Sequence, residues 1–305
     1  MRLIKPSFSI WDQQEGLEGV YKQIERAGRV CYKSEDKITE DSAKPFVDRM
    51  VKSGHGAMLE HGTVYLYNPG DKQMLDMIKR YSENPYSRLN VVKAALTGAI
   101  IGHVWITTNY RVIVENNWEK DLIYYSPNPV PLHLKRITVH FVCDRGVSHE
   151  FVRHRVMSFA QESTRYCNYS KDKFGNEVTF IEPCWLEDYN YEGNTYYNGF
   201  LVALRAAEAN YFDLMKKWED RISDKRYKTG FRNNPWTPQQ ARAVLPNSLK
   251  TELVMTGFVS DWEHFFKLRD AGSAHPQARE LAHPLHMEFL RRNYLVDLYD
   301  EVNPN

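Results

Sequence analysis

The chain has 305 residues, of which 26% are charged and 42% hydrophobic, an ordinary composition for a globular protein with a sizeable core. Its formal net charge of +1 argues against general nucleic-acid binding, which needs a strongly basic surface, but allows a few arginines to bind small anions. The four cysteines form no C-x-x-C pair, and no apolar run has the length of a signal peptide or a membrane span. We therefore expect a cytosolic protein with reduced thiols.

Helical and strand-like patterns follow one another without a regular β-α-β rhythm. Strands are predicted at 2–9, 62–68, near 103–114 and at 137–143; helices are predicted at 16–27, 41–53, 71–82, from about 147, at 199–222, 237–245, 260–270 and 276–292 with a kink at Pro284. Thr237 with Gln240 and Ser260 with Glu263 indicate capping boxes. The mixture predicts an α+β fold with a mixed or antiparallel sheet and packed helices. We expect one domain over 1–305, with an insertion at about 69–135 that packs at the surface or between subunits.

The densest polar run, residues 153–166, follows a predicted strand and begins on a predicted helix. On a helix, Arg153 and Arg155 would point about 200° apart and could not both hold one phosphate. They would then serve two ligands, or one ligand and another subunit, with His154 between them. An exposed basic helix turn with one packed histidine is the alternative.

Three further positions are candidates for ligand binding. Arg242 lies near the start of its predicted helix, and Arg269 lies in the last turn of another. His55 stands between Gly54 and Gly56, where glycine would let a planar ligand approach the backbone closely. The alternatives are favourable surface charge for the arginines and an ordinary turn histidine.

Several well-known site patterns are absent from the sequence. There is no G-x-G-x-x-G, no G-K-[ST], no H-E-x-x-H and no G-x-S-x-G. His275, His283 and His286 each lie beside or near a proline at a helix end or kink, and we predict no metal site there.

The polar run resembles a family signature. Arg153-His154-Arg155, followed after seven residues by Ser163, resembles the RHR-x7-S signature of flavin-dependent thymidylate synthases. Three other blocks resemble the family in the same order. They are Gly54-His55 to Glu60-His61 for G-H-x-x-x-x-E-H, Ala241-Arg242 to Leu245-Pro246 for A-R-x-x-L-P, and Thr251-Glu252 with Phe265 to Arg269 for T-E and F-x-x-L-R.

The resemblance implies an α+β homotetramer whose active sites are built from several subunits. The implied reaction converts dUMP to dTMP with methylenetetrahydrofolate as methylene donor, and with FAD and NADPH as the source of reducing power. It needs no obligatory enzyme nucleophile, so Ser163 is expected to bind substrate rather than to attack it. The cofactor carries the difficult chemistry, while the protein supplies orientation and electrostatics.

The resemblance also assigns residues to each ligand. The dUMP-binding set is Glu150, Arg153, Gln161, Glu162, Ser163, Thr164, Arg165, Arg242 and Arg269. The FAD-binding set is His55, Ala57, Arg153, His154, Arg155, Gln161 and His264. Arg269 is the catalytic candidate, because a guanidinium against the uracil ring would stabilise the ionised imide and activate the ring carbon.

The sequence departs from the family pattern at several of these positions. Gln161 follows Ala160 where many members have Asn-Glu, and Glu150 stands where a glutamine commonly contacts dUMP. Phe258 and Ser260 replace polar or basic flavin contacts. Rival functions are a nucleotide-binding flavoprotein that oxidises NADPH without methyl transfer, a non-catalytic nucleotide- or RNA-binding module, and a metal hydrolase that uses the C-terminal histidines.

Overall fold

The computed structural model describes residues 1–93, 100–127, 129–191, 193–216 and 235–295. The helices are α1 Gly16–Tyr32, α2 Ala43–Lys52, α3 Gly56–Leu59, α4 Met74–Glu83, α5 Tyr110–Glu115, α6 Arg145–Phe151, α7 Thr195–Met215, α8 Pro238–Ala241, α9 Val259–Arg269 and α10 Pro276–Arg291. The strands are β1 Arg2–Ile4, β2 Ser7–Trp11, β3 Thr63–Asn68, β4 Arg88–Lys93, β5 Ile100–Asn109, β6 Arg136–Asp144, β7 Ser158–Gln161, β8 Thr179–Ile181 and β9 Lys250–Phe258.

A four-stranded antiparallel sheet has the order β2-β6-β9-β7, with Thr251-Glu252 on β9 and the RHR segment just before β7. Strands β6 and β9 pair along their full lengths, from Arg136 opposite Phe258 to Asp144 opposite Lys250. Alternate residues of these strands, such as Phe141 and Leu253, are buried in one cluster with side chains of α6, α9 and α10. The predicted α+β fold with an antiparallel sheet and packed helices is confirmed.

Residues 69–135 contribute a second sheet. Strands β4 and β5 of this segment pair with β3 in the antiparallel order β3-β5-β4. Leu66 and Ile106 lie in a buried cluster shared with α1, α2 and α4. The fully buried carboxylate of Asp121 accepts hydrogen bonds from Arg80 and Tyr81, each at 2.9 Å. The segment thus supplies core as well as surface, while its status as an insertion within a single domain over 1–305 stays a prediction.

Helix α7 packs in a third cluster with β8 and the loop after β7. Leu204 and Tyr211 of the predicted apolar stripe are buried there, whereas the continuation of the predicted helix to 222 lies outside the described residues. The helix begins earlier than predicted because the side chain of Asn194 caps it, accepting hydrogen bonds from the N–H groups of Tyr196 and Tyr197. Among the described helices, none combines the length and the apolar character that a membrane crossing requires.

Two predicted strands have different limits in the structure. The strand predicted at 2–9 is two strands, since the chain leaves the partner of β1 at Lys5-Pro6 and then pairs with β6. The strand predicted near 103–114 ends at Asn109, whose side chain accepts a hydrogen bond from the N–H of Val112 and starts α5.

One capping prediction is confirmed and one is wrong. The side chain of Gln240 accepts a hydrogen bond of 2.9 Å from the N–H of Thr237, as the predicted box requires. Ser260 does not cap its helix, because α9 begins at Val259 and the carboxylate of Asp261 accepts from the N–H of Phe258 at 2.9 Å. Starting α9 directly after β9 places Arg269 in the last turn of the helix, as predicted.

Candidate functional site

Arg269 joins the end of α9 to the end of α6. Its Nη1 donates to Oε2 of Glu150 at 2.5 Å, its Nη2 donates to the main-chain oxygen of Glu150 at 2.8 Å, and its Nε donates to Nε2 of His154 at 3.1 Å. The main-chain contact gives this carbonyl group at the helix end a second donor, since it also accepts from the N–H of Arg153 at 3.4 Å. One N–H on each terminal nitrogen remains for another acceptor, since a guanidinium carries five donors.

His154 is the buried member of the RHR triplet. It is 7% exposed, and its ring lies 5.1 Å from that of Phe265 and 5.7 Å from that of His264. Burial lowers the pKa of His154 to about 4, and the neighbouring Arg269 cation and His264 act in the same direction. The acceptor role of Nε2 toward Arg269 requires the neutral ring with its proton on Nδ1.

The RHR triplet is not helical, which corrects the sequence-based geometry. Helix α6 ends at Phe151, and the N–H groups of Arg153 and His154 donate to residues three positions back, as in a tight turn. The predicted separation of Arg153 and Arg155 around a helix is therefore wrong. Both arginines are exposed, and both line the same cleft of about 390 Å³ with His154 and His264.

His55 lies in a second cleft of about 420 Å³, with Gly54, Gly56, Ala57 and Arg111 in its lining. It is exposed and immediately precedes α3, while Gly54 adopts a φ of +71° that suits glycine. A Cβ on Gly56 would lie 2.8 Å from the carboxylate of Glu115 and 3.0 Å from Nε of Arg111, so the glycine allows α5 to approach. In this chain the two clefts share no lining residue, and the structure does not bring His55 and Ala57 into the cleft of the RHR triplet.

The residues after β7 connect two motifs that lie far apart in the sequence. Nη1 of Arg242 donates to the hydroxyl of Thr164 at 2.8 Å, and Arg242 and Arg165 are both exposed. The N–H of Ser163 donates to the main-chain oxygen of Cys31 at 2.9 Å. Arg242 therefore meets the end of the signature at the Thr164 hydroxyl, next in the chain to the exposed Arg165, and exposed guanidinium groups suit an anion.

Gln161 and Glu162 face protein rather than solvent. Nε2 of Gln161 donates to the hydroxyl of Ser148 at 2.8 Å, which joins the end of β7 to α6. Glu162 is 2% exposed, and its carboxylate contacts Nζ of Lys250 at 2.8 Å and the hydroxyl of Tyr169 at 3.1 Å. The structure thus gives Glu162 an inward position, in contrast to the predicted lining of the dUMP site.

Phe258 and Ser260, the departures from the family pattern, lie at the start of α9. The Phe258 ring is 3% exposed and lies 5.0 Å from the guanidinium carbon of Arg88 and 5.7 Å from that of Arg136. Such contacts stabilise the packing of Arg88 from β4 and Arg136 from β6 against the end of β9. In this chain the Phe258 side chain is therefore buried and packed against two arginines.

The C-terminal histidines have protein partners. Nδ1 of His283 and Nδ1 of His286 each contact the carboxylate of Asp270 at 2.9 Å, and the His275 ring lies 6.0 Å from that of Trp185. No group of three or more potential metal ligands occurs among the described residues.

The family described as thymidylate synthase complementing protein has a sequence model that matches residues 117–292, more than half of the chain. The chain belongs to this family. The predicted resemblance to flavin-dependent thymidylate synthases is confirmed by relatives of that name. One from Mycolicibacterium gilvum is 33% identical over 148 residues, which are 48% of this chain and 53% of the relative. One from Corynebacterium aurimucosum is 24% identical over 275 residues, which are 89% of this chain and 76% of the relative.

The chain spans about half the length of the curated relatives it matches at about 33% identity. Among solved structures, a UMP/dUMP methylase, PolB from Streptomyces cacaoi with 5-Br dUMP, is 17% identical with a TM-score of 0.40, over 95% of this chain and 93% of that one.

The residues matched to the family include the RHR turn, Arg242 and Arg269, but not His55. Other side chains in and near the two clefts belong to none of the sequence motifs. Arg111 reaches the His55 cleft from the segment predicted to be an insertion, and its Nη1 contacts Glu60 at 2.5 Å. The sequence could have indicated that Lys250 is important, because Lys250 and Glu252 share one face of a strand that is otherwise mainly apolar.

The protonation of His154 provides a first test of this geometry. We expect a neutral ring at pH 7, with the proton on Nδ1, in two-bond ¹H–¹⁵N spectra. Because the folded pKa of about 4 lies below the ordinary 6.5, the stability that the neutral ring contributes is present at pH 7. It is lost as the pH falls from 6.5 towards 4. In Arg269→Ala the pKa of His154 should rise, because a neighbouring cation is removed while burial remains. A proton on Nε2 at pH 7 would contradict the contact with Arg269.

Proposed function

We propose that this protein is a flavin-dependent thymidylate synthase. The reaction converts dUMP to dTMP, with methylenetetrahydrofolate as the methylene donor and NADPH as the reductant of FAD. The proposal rests on membership of the family and on the arrangement of the matched residues. The names of the relatives agree with it.

The observation that carries the proposal is the contact between Arg242 and Thr164. It brings the A-R-x-x-L-P block to the end of the RHR-x7-S block, with Arg165 exposed beside it. The Arg242 guanidinium on the Thr164 hydroxyl, with the exposed Arg165 at the next position of the chain, is suited to a phosphate monoester such as that of dUMP. We assign this turn, with Ser163, to the nucleotide.

The residues present fit a flavin dinucleotide. Arg153 and Arg155 are exposed in one cleft and offer cations for a diphosphate. The open space at the Cβ position of Gly54 lets a planar ring approach the backbone beside His55 and Ala57 closely. FAD, when bound, supplies the hydride derived from NADPH that completes the methyl group.

Arg269 is assigned the electrostatic role in the reaction. The two N–H groups not used by Glu150 and His154 are available to an anionic ring, and the guanidinium keeps its charge at all working pH values. Glu150 and His154 hold the guanidinium in place before substrate arrives. Such preorganisation is what makes a cation effective toward charge that develops in a reaction.

A homotetramer with shared active sites is part of the proposal. Within one chain, the clefts of His55 and of the RHR triplet are separate, although both are assigned to FAD. A second copy that brings its His55 to the first copy's RHR cleft would complete one site. A cytosolic location is likewise proposed.

The visible absorption spectrum of the purified protein, with and without dUMP, tests the proposal. We expect a flavin band that dUMP shifts, followed by tritium release from [5-³H]dUMP in the presence of methylenetetrahydrofolate and NADPH. A protein that takes up FAD and oxidises NADPH but releases no tritium would support the flavoprotein oxidase instead. A colourless protein that takes up no FAD would remove the proposal altogether.

A further inference from the structure

A chain of alternating charges runs beneath the turn that follows β7. Glu35 contacts Lys33 at 2.6 Å, Lys33 contacts Glu252 at 2.9 Å, Glu252 contacts Lys250, and Lys250 contacts Glu162 at 2.8 Å. We call these five residues the charge chain. It links the end of α1, the start of β9 and the first residue after β7.

The inner end of the charge chain is enclosed. The side chain of Glu162 is 1% exposed, whereas that of Glu35 is 37% exposed. A buried carboxylate is stable only with close partners, and Glu162 has two: Lys250 and the hydroxyl of Tyr169 at 3.1 Å. His140 adds a contact of 2.9 Å to the carboxylate of Glu252 from the neighbouring strand β6.

The backbone above the charge chain is the signature loop, which we define as residues 162–167. Its first N–H, from Glu162, donates to the main-chain oxygen of Glu252 at 2.8 Å. Ser163 donates to Cys31 at 2.9 Å, and Cys167 donates back to Ser163 at 2.9 Å. Sheet pairing of β7 ends at Gln161, so beyond it the loop is held by these bonds, by the contact of Thr164 with Arg242 and by the side chain of Glu162.

The backbone conformation of Lys33 indicates that the charge chain is a specific feature of the fold and not a chance pairing of surface charges. Lys33 follows α1 in a left-handed conformation, with φ 47° and ψ 56°, where glycine is the usual residue. A residue with a Cβ adopts this backbone conformation less favourably than glycine does. The Nζ contacts of Lys33 with Glu35 and Glu252 account for a long cationic side chain at this place.

We propose that Lys250 is a positioning residue for the nucleotide. By neutralising Glu162 it draws the start of the signature loop onto β9, and this sets the places of Ser163, Thr164 and Arg165. The inference rests on the proposed function, in which those three residues bind dUMP. Lys250 itself does not touch the substrate.

Loss of Lys250 acts on the loop first. Without it, Glu162 is a buried carboxylate with Tyr169 as its remaining side-chain partner. If the start of the signature loop moves outward at the end of β7, the carboxylate of Glu162 becomes hydrated and only a few hydrogen bonds of the loop break. The strands that pair in the sheet stay in place, because moving them would break many more hydrogen bonds. The variant is therefore expected to stay folded with a displaced loop.

The test uses Lys250→Met in the full chain with FAD bound. We expect the KM for dUMP to rise about tenfold or more, with kcat within about threefold and flavin content unchanged. Lys250→Arg should restore most of the affinity, because it keeps the charge between Glu162 and Glu252. Lys44→Met is the matched control: Lys44 forms an exposed pair with Asp48 on α2, and its removal should leave the KM at the wild-type value.

Hydrogen exchange gives a readout that does not depend on the activity. The amides of Ser163 and Cys167 should exchange faster in Lys250→Met than in the wild type, while amides of the β6–β9 pair keep their protection. If the wild type methylates nothing but this difference appears, the proposed function fails and the structural part of the inference stands. If Lys250→Met does not fold, Tyr169→Phe replaces it; this variant removes the other partner of Glu162, and we expect smaller changes in the same direction.

An unchanged KM together with unchanged exchange of the loop amides would overturn the inference. The same holds for a variant whose melting temperature falls while the KM for dUMP stays at the wild-type value. A KM raised equally by Lys250→Arg and Lys250→Met would also overturn it, because charge would then not be the cause.

Discussion

Arg269→Ala should reduce methyl transfer to dUMP by roughly 10²–10³-fold, the usual cost of removing one preorganised donor to a developing anion. The substitution removes the cation assigned to the ionised uracil ring. It also leaves Glu150 without its ion-pair partner and removes the side-chain donor to the main-chain oxygen of Glu150, which keeps the N–H of Arg153 at 3.4 Å. Flavin should stay bound, since Arg153 and Arg155 are untouched. The measurement is tritium release from labelled dUMP at saturating folate and NADPH.

Arg269→Lys is the control for this prediction. It keeps a positive charge at the end of α9 but lacks the planar fork that holds Glu150 and His154 together. We expect intermediate activity, because a point charge reproduces part of the stabilisation. Activity of Arg269→Ala within about threefold of the wild type would show that this guanidinium has no part in the chemical step.

Arg242→Ala should raise the KM for dUMP by about 10–100-fold, the equivalent of losing one hydrogen bond to a charged group. The side chain is exposed, so the melting temperature should change little. Because a phosphate contact acts on bound substrate and transition state alike, kcat should fall much less than affinity. Initial rates over a range of dUMP concentrations separate the two effects.

Thr164→Val tests how Arg242 is held. The Thr164 hydroxyl accepts from Nη1 of Arg242, and valine keeps the shape of the side chain without the acceptor. We expect a smaller rise in KM than for Arg242→Ala. The double variant should be no worse than Arg242→Ala if the hydroxyl acts through the arginine. Fully additive effects would instead mean that Thr164 and Arg242 bind the nucleotide independently.

Many secondary-structure elements were predictable because their signals are local. The apolar spacing of 16–27 predicts α1, and the proline and capping residues at 237–240 predict α8. The predicted first or last residue of an element was wrong where a side chain caps the backbone from an unexpected position. Asn109 ends a strand, Asn194 starts a helix early, and Asp261 takes the role predicted for Glu263. The error at α9 arose because the helix start was placed at Ser260, whereas the capped group is the backbone N–H of Phe258.

The conformation of the RHR triplet needed the tertiary structure. Periodicity alone continues α6 through Arg153 and Arg155, but His154 is buried against Phe265 and bonded to Arg269 from another helix. Those contacts lie more than 100 residues away along the chain, so no local pattern reveals them. They hold the backbone in a turn and bring both arginines to one cleft.

By itself, the sequence determined the family through ordered motif blocks, the α+β class through its mixture of periods, and the identity of the charged residues available for chemistry. The tertiary structure decided which of those charges face a ligand and which face each other. Glu162 and Arg165 stand three positions apart, yet the first is buried against Lys250 and the second is exposed. The reason is energetic: whether a charge is solvated or paired depends on groups that only the folded chain brings near it, and those groups are remote in sequence.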